Sequence, residues 1–390
     1  MKTYPLASST WGDEEIQAIQ KVIDSDRFTM GHHVKQFEFE FSEYFGSRNA
    51  VMVNSGSTAN LLMLSLLRWK KRLPSTANII VPAVGWSTTY FPIVQNNFGM
   101  NFVDVDPYTF NINVEQVREA IDENTVAIMP VNLCGNPCDY NELLMICDEH
   151  NLFLLEDNCE SMGGRWAEHY LGTIGDMGSH SFFFSHHMCT MEGGMILTDD
   201  NEDADFLRSL RAHGWCRDLS ENSTLYQRTG DFFTDSFTFI APGYSVRPLE
   251  MSGAIGSEQL KKWDSIIEGR LENTAFFQSL FSDVPWLNIQ QEHHGESSWF
   301  SFGCVLDGTL KGRRNEVVKA FDQNGIEARP LASGNFLKQP VMEYFDNTLV
   351  KFPLSVAENI DTNGFWVGNH MVECKKGIQK MYDVLKGLAE

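Results

Sequence analysis

The chain has 390 residues, of which 43% are hydrophobic and 21% are charged, an ordinary balance for a globular protein. This length is enough for two domains around a large core. The formal net charge of −22 argues against a nucleic-acid partner, because nucleic-acid-binding proteins concentrate positive charge. No apolar run reaches the length of a membrane span, and the N-terminal residues lack the apolar core of a signal peptide.

The cysteines indicate the compartment in which the protein is found. The eight cysteines are scattered through the chain, which favours free thiols in a reducing compartment over a disulfide framework. Cys134 and Cys138 lie close together, but no second pair stands at the spacing of a zinc site. We therefore expect a cytoplasmic protein without a bound metal.

Seven short apolar runs alternate with helical patterns through the first two-thirds of the chain. Residues 114–123 and 140–150, which lie between runs, have the spacing of amphipathic helices. Strands joined by crossover helices are typical of a mainly parallel sheet with helices on both faces. We predict an α/β fold whose seven strands lie near residues 50–55, 78–84, 101–106, 125–133, 152–157, 180–185 and 194–200.

The pattern changes in the last third of the chain. Residues 247–281 have the pattern of one long helix, and a further strand, a helix near 312–324, a strand near 326–330 and a C-terminal helix follow. This order indicates a separate α+β unit. We predict a large domain of residues 1–250 and a smaller C-terminal domain of residues 251–390.

Polar residues open the helix that follows the first strand, in NSGSTANLLML (54–64). Gly56 permits a tight turn, and Ser57 and Thr58 offer donors at a helix N-terminus, where the helix dipole favours an anion. A plain helix cap is the alternative. No Gly-Lys-Ser/Thr follows, so the segment is not a Walker motif.

Two further strand ends carry residues that suit a flat, positively charged ligand. Trp86 offers a surface for stacking on a heterocycle, with a packing tryptophan as the alternative. Asp157 ends a strongly apolar strand, where a carboxylate needs a partner such as a protonated pyridine nitrogen, a helix cap or a basic side chain. Ligands bind beyond the carboxyl ends of strands in such sheets. Sites for a phosphate, a flat ring and a ring nitrogen together indicate pyridoxal phosphate (PLP).

The order of SGSTAN, EDNCES, SFFFSHHMCTMEGG and GYSVRPLEM along the chain resembles the nucleotide-sugar aminotransferase family, which has the aspartate aminotransferase-like, type I PLP fold. In that family a serine lies five residues before the lysine that binds the cofactor, and that lysine lies six residues before a Glu-Gly-Gly. Counting back from Glu192 places the lysine position at His186 and the serine at Ser181. The resemblance therefore implies Ser181 as a phosphate ligand, and a histidine in place of the lysine.

A histidine at this position is similar to the branch of PLP-dependent 3-dehydratases that make 3,6-dideoxy sugars. Flanking motifs such as TMGHHVKQFE and RAHGW resemble members of the colitose pathway. They imply GDP-4-keto-6-deoxymannose as the substrate, L-glutamate as the amino donor and release of ammonia. A related branch acts on a CDP sugar and carries an iron–sulfur cluster with a Cys-x-Cys pair, which this sequence lacks.

The histidine changes the expected chemistry. An imidazole forms no stable imine with the cofactor aldehyde, so we expect pyridoxamine phosphate (PMP) held non-covalently, with His186 as general base and acid. His187 is the rival, because a shift of one residue exchanges the two. A sugar 4-aminotransferase of the same fold is the alternative function and predicts a lysine near residue 186, but none lies between residues 116 and 260. A non-catalytic cofactor binder is a second alternative. It would lack the acid and base groups, whereas His186 and Glu160 are both present.

Other roles are implied by the resemblance. Glu160 is expected beside the cofactor or the base, and His213 and Arg217 are expected to reach the substrate. Arg247 and Arg329 are candidates for the diphosphate or for the carboxylate of glutamate, which arginine binds bidentately. For each arginine, a structural ion pair is the alternative.

The resemblance also implies a homodimer with active sites shared between subunits. Ser245 stands where relatives usually carry an asparagine that reaches the cofactor phosphate from the partner subunit. Serine is shorter than asparagine but still donates a hydrogen bond. We therefore include Ser245 among the predicted cofactor ligands.

Overall fold

The computed structural model describes residues 3–390, which form a large sheet, a second smaller sheet and the helices that cover them. Along these residues the strands are β1 Asn49–Val53, β2 Asn78–Pro82, β3 Gly99–Val103, β4 Thr125–Ile128, β5 Phe153–Asp157, β6 Arg165–Trp166, β7 His169–Tyr170, β8 Met177–Ser181, β9 Gly194–Thr198, β10 Leu287–Ile289, β11 Ser301–Leu306, β12 Thr348–Val350 and β13 Gly364–Gly368. The α-helices are α1 Asp13–Asp24, α2 His32–Phe45, α3 Gly56–Trp69, α4 Ser87–Gln95, α5 Val114–Ala120, α6 Tyr140–His150, α7 Asn201–Arg211, α8 Phe232–Phe237, α9 Glu250–Lys261, α10 Trp263–Phe281, α11 Arg314–Gln323, α12 Ser355–Asn363 and α13 Lys375–Ala389.

The large sheet has the strand order β1-β9-β8-β5-β4-β2-β3-β12. All neighbours pair in parallel except β9, which is antiparallel to both β1 and β8. The predicted mainly parallel α/β sheet is thus confirmed. Its strands other than the edge strand β12 are almost entirely buried, because helices cover both faces.

Two details of the predicted sheet are wrong. The predicted number of seven strands is one too low within residues 3–390, because β12 from the C-terminal third pairs with β3 at the sheet edge. The sixth predicted strand, 180–185, ends at Ser181, because the chain turns there and leaves Phe183 and Phe184 half exposed. The aromatic residues after Ser181 therefore form a turn that follows β8 and do not extend the strand.

The smaller sheet, β10-β11-β13, is antiparallel and packs against α10, α11 and α13. The helix predicted near 312–324 is confirmed as α11. The predicted long helix 247–281 is two helices, which meet at Lys262. The predicted strand near 326–330 is wrong, because Ile326 and Arg329 form only isolated bridges. The division into domains of residues 1–250 and 251–390 stays a prediction.

The fold brings several chain segments together at the carboxyl ends of the parallel strands, one end of the large sheet. β1, β2, β5 and β8 all end there, and α3 and α4 begin there. Ser55 caps α3, because its hydroxyl accepts the Thr58 N–H at 3.1 Å. Among the helices of residues 3–390, none combines the length and the apolar character that a membrane crossing requires.

Candidate active site

A cavity of about 310 Å³ lies at the carboxyl ends of the parallel strands, and we call it the strand-end cavity. It collects residues from strand ends, helix starts and two segments of the C-terminal third. Its lining residues are Ser55, Gly56, Ser57, Trp86, Thr88, Thr89, Val131, Asp157, Cys159, Glu160, Ser181, Phe183, Ser185, His186, Glu192, Phe300, Arg329 and Trp366. Eight of the thirteen residues predicted to act at the site are therefore brought together.

One end of the cavity suits an anion. A Cβ on Gly56 would lie 2.6 Å from the Ser181 Cβ and 2.7 Å from the Cys159 Sγ, so only glycine lets α3 start so close to the end of β8. Ser57 and Ser181 bring hydroxyls to this end. Thr58 does not line the cavity, because its hydroxyl donates to Asn54 Oδ1 at 2.8 Å within the helix cap.

Asp157 is the buried carboxylate of the cavity. Its Oδ2 accepts hydrogen bonds from Asn60 Nδ2 at 2.9 Å and from Thr89 Oγ1 at 2.6 Å. Its Oδ1 accepts only a long bond, 3.3 Å, from the Cys159 N–H. No lysine, arginine or histidine pairs with Asp157 in the described part of the chain. The carboxylate is thus fixed in direction and open to a cationic ligand atom.

The opposite side of the cavity is aromatic and cationic. The Arg329 guanidinium lies 5.0 Å from the Trp86 ring centre and 4.7 Å from that of Trp366. Within residues 3–390 it forms no ion pair with a carboxylate. Burial is the main reason that the Arg329 pKa is lowered. A cation held between two rings without an acidic partner suits an anionic group of a ligand.

Glu160 lies between these two sides. Burial raises the pKa of its carboxyl to about 7, although the Cys134 N–H and the charge of Arg329 oppose the rise. The Cys134 N–H donates to Glu160 Oε2 at 3.1 Å. A carboxyl group with a pKa near 7 can both hold and release a proton at neutral pH.

His186 faces the cavity. Its ring lies 5.2 Å from the Phe300 ring in an edge-to-face contact, and its Nδ1 lies 3.5 Å from Ser185 Oγ. Burial, reinforced by the positive charges of Arg270 and Arg329, lowers the pKa of His186 to about 3. The ring is therefore neutral at physiological pH, and its Nε2 has no hydrogen-bond partner among the described residues.

His187 is buried in the core and does not line the cavity. Its Nε2 donates to the Ser298 carbonyl at 3.2 Å, and its ring packs near Trp263 and Phe300. A carbonyl oxygen only accepts, so Nε2 carries the proton in the neutral ring. Of the two adjacent histidines, only His186 opens to the cavity.

Besides Thr58, four predicted site residues lie outside the strand-end cavity: His213, Arg217, Ser245 and Arg247. His213, Arg217 and Arg247 surround the Trp215 ring, and we call these three residues together with Trp215 the Trp215 cluster. The Arg217 guanidinium stacks 4.2 Å from the ring centre, and Arg247 donates to the exposed Ser245 hydroxyl at 3.3 Å. These positions do not complete the cavity of the same chain.

Several cavity residues were missed by sequence reasoning. Thr89 and Cys159 stand beside predicted residues, in WSTTYFP and EDNCES, and their place next to strand ends was a usable signal. Phe300 and Trp366 gave no signal, because they come from β11 and β13 regions that look like ordinary core. Across residues 3–390, no group of three or more His, Cys, Asp or Glu side chains is arranged to hold a metal ion.

The model of the DegT/DnrJ/EryC1/StrS aminotransferase family matches residues 9–385, nearly the whole chain. The chain belongs to this aminotransferase family. Within the family it is 50% identical over 390 residues to the GDP-4-keto-6-deoxy-D-mannose 3-dehydratase of Yersinia pseudotuberculosis, with 99% of each chain covered.

Solved structures of DegT/DnrJ/EryC1/StrS relatives superpose on the whole chain. The Escherichia coli GDP-4-keto-6-deoxy-D-mannose-3-dehydratase with bound hydrated PLP is 49% identical, covers 99% of this chain and 100% of its own, and has a TM-score of 0.96. A GDP-4-keto-6-deoxymannose-3-dehydratase with a trapped PLP-glutamate geminal diamine is 48% identical, covers 98% and 100%, and has a TM-score of 0.95. The type I PLP fold is thereby confirmed for this chain.

Proposed function

We propose that the protein is a PLP/PMP-dependent 3-dehydratase, a carbon–oxygen lyase. It removes the C3 hydroxyl of GDP-4-keto-6-deoxymannose to give a 4-keto-3,6-dideoxy sugar, while L-glutamate regenerates PMP and ammonia is released. One observation carries the proposal: among the described residues that line the cavity there is a histidine, His186, and no lysine. Relatives that share 50% identity over the whole chain are named for this reaction.

The cavity residues fit the cofactor. Asp157, buried and without a basic partner in the described chain, suits a protonated ring nitrogen. Gly56 keeps the anion end free of a side chain, and Ser57 and Ser181 supply hydroxyls for a phosphate. Trp86, half exposed, offers its ring face. When bound, the cofactor would supply an electron-withdrawing ring and, in its PMP form, an amine that condenses with a keto group.

His186 is proposed as the group that moves the proton. Its neutral ring takes a proton at Nε2, the nitrogen without a partner in the described chain. The low pKa that keeps the ring neutral also makes its protonated form a strong acid. The ring therefore gives the proton readily to the departing C3 oxygen, which leaves as water. A lysine would instead bind the cofactor covalently and favour amino transfer.

Glu160 and Arg329 are proposed to hold the reacting groups in place. Glu160 exchanges a proton with substrate through the carboxyl oxygen that the Cys134 N–H does not occupy. Arg329, lying between Trp86 and Trp366, binds the carboxylate of L-glutamate or a substrate phosphate.

We further propose that the protein acts as a homodimer with shared sites. The Trp215 cluster lies outside the strand-end cavity of its own chain, and Arg217 and Arg247 offer two cations to a diphosphate. Ser245 would then reach the cofactor phosphate of the partner subunit. We place the enzyme in the cytoplasm, in the synthesis of colitose for the O-antigen of lipopolysaccharide.

The product identifies the reaction. We would incubate the protein with GDP-4-keto-6-deoxymannose, PLP and L-glutamate, and record the mass spectrum of the nucleotide sugar. We expect a product that is lighter by one oxygen atom, together with 2-oxoglutarate and ammonia. Replacement of the keto oxygen by an amine would instead establish the alternative, a sugar 4-aminotransferase.

A further inference from the structure

A short segment behind the cavity, Ser298–Phe300, is held by three buried side chains that are distant in the sequence. We call this segment the strap. Each of its three carbonyl oxygens accepts one hydrogen bond from a different side chain. The donors are His187 Nε2 to Ser298 at 3.2 Å, Asn369 Nδ2 to Trp299 at 2.8 Å and Arg270 Nη1 to Phe300 at 2.9 Å.

The strap is constrained on its other side as well. Trp299 has a φ of 46°, a left-handed conformation that is costly for a bulky residue and persists only where its surroundings impose it. The Ser298 and Phe300 N–H groups each donate at 3.0 Å, to the carbonyls of Gly135 and Cys134. A Cβ on Gly135 would lie 2.6 Å from the Trp299 nitrogen, so the two segments touch through their backbones.

The strap contacts one of the two groups that are proposed to move protons, His186, and is linked to the other, Glu160, through Cys134. The Phe300 ring makes the edge-to-face contact with His186 at 5.2 Å. Cys134, whose carbonyl binds the strap, donates its own N–H to Glu160 Oε2 at 3.1 Å. The position of one backbone segment therefore sets the surroundings of both groups.

We propose that His187 is a positioning residue that orients His186 through the strap. This inference rests on the proposed function, because it assigns His187 a part in placing the proposed base. His187 does not line the cavity, but its bond to Ser298 fixes the strap and with it the Phe300 ring against which His186 lies. His187 therefore positions His186 and does not itself act as the base.

The buried His187 ring carries a cost that supports this role. Its Nδ1 is buried and has no hydrogen-bond partner among the described residues. A buried acceptor without a hydrogen bond destabilises the folded state, and an apolar side chain of similar size would avoid this cost. Packing alone would thus favour a leucine or phenylalanine, whereas the bond to Ser298 requires a donor.

The test compares His187→Leu, which removes the donor, with His187→Gln, which keeps one. His370→Leu is the matched control, because His370 is also buried and its Nε2 also donates to a backbone carbonyl, that of Pro5, at 2.9 Å. We expect His187→Leu to lower kcat roughly 10- to 100-fold with KM for the sugar within about twofold, as a misplaced catalytic group does. We expect His187→Gln to recover most of kcat, and His370→Leu to keep it.

A second readout needs no turnover. In cofactor-free protein with labelled histidine, we expect the NMR signal of the His186 ring to shift in His187→Leu and to return in His187→Gln. Should His187→Leu fail to fold, His187→Phe keeps the ring and lacks the donor, and the same result is expected. An unmoved His186 signal, or an equal loss of kcat in His370→Leu, would overturn the inference. A wild-type protein that does not dehydrate the sugar would refute the proposed function, while the NMR comparison would still decide the positioning.

Discussion

The strand-end cavity and the Trp215 cluster both hold residues that the sequence assigned to one site, but they are built in opposite ways. In the cavity, strand ends and helix starts fix each side chain, and burial raises the pKa of Glu160 and lowers that of His186, which favours the neutral form of both groups. In the cluster, the Arg217 guanidinium lies over an aromatic ring in contact with solvent. The buried cavity therefore shifts the pKa values of its groups, whereas the cluster presents a partly exposed cation whose direction is set by an aromatic ring.

The largest effect is expected from the base itself. We expect His186→Asn to lower the rate of water loss by roughly 10³-fold, because general base catalysis contributes about 10²- to 10⁴-fold. PMP should still bind with unchanged affinity, because His186 does not hold it covalently. Product mass spectrometry and equilibrium dialysis with PMP measure the two quantities. Loss of PMP binding together with the rate would mean that His186 is a cofactor ligand rather than the base.

A smaller effect is expected where the cavity holds the cofactor. We expect Asp157→Asn to weaken PLP and PMP binding by roughly 10- to 100-fold, because a hydrogen bond to a charged group contributes about 1.5–3 kcal/mol. Thr89→Val is the graded control, because it removes one of the two donors to Asp157 Oδ2 and leaves the charge. Fluorescence or absorbance titration with PMP gives the affinities. Equal losses of cofactor affinity in the two variants would show that the charge of Asp157 does not contribute to cofactor binding.

In the Trp215 cluster, the substrate rather than the cofactor should respond. We expect Arg217→Ala to raise KM for the nucleotide sugar about tenfold, the effect of losing one charged contact, while PMP affinity stays unchanged. Arg313→Ala is the control, because Arg313 pairs with Glu316 on the surface of α11. Steady-state kinetics and a PMP titration separate the outcomes. A change in PMP affinity without a change in KM would place Arg217 in the cavity rather than in the cluster.

The smallest effect is a change of stability with pH. The pKa of Glu160 is raised from 4.5 to about 7, so the folded state binds more protons than the unfolded state between these values. Its contribution to stability is therefore lost as the pH rises from about 4.5 to about 7. Glutamine resembles the protonated carboxyl, so we expect Tm of Glu160→Gln to exceed that of the wild type by about 2 °C at pH 8. The two should agree at pH 4, and a lower Tm at pH 8 would contradict the raised pKa.

Much of the fold could be predicted, because apolar runs and helical spacing are local signals. The elements that failed were decided by distant contacts. Thr348–Val350 is a strand because it pairs with β3, which would otherwise be the last strand of the sheet. Residues near 326–330 are not a strand, because they pair with other segments only at isolated bridges. The aromatic run after Ser181 has strand composition, but the chain turns there and His186 faces the cavity as a result.

The cavity was predictable where the chemistry sits in short motifs. Gly56, Asp157 and Ser181 each stand at a strand end or a helix start, and such positions are visible in the sequence. The motif register favoured His186 over His187, but the contact that His187 makes was not visible, because its partner is a carbonyl more than a hundred residues away, that of Ser298. The strap was hidden for the same reason, since its residues act through backbone oxygens that carry no sequence signature.

His186 stands where the resemblance to the aminotransferase family implies a cofactor-binding lysine. The most direct test is the intact-protein mass after PLP and borohydride are added to wild type and to His186→Lys. We expect the wild type to keep its mass and the variant to gain that of one reduced cofactor, and His187→Lys to gain nothing. A covalent adduct on the wild type, or on His187→Lys instead of His186→Lys, would contradict the account.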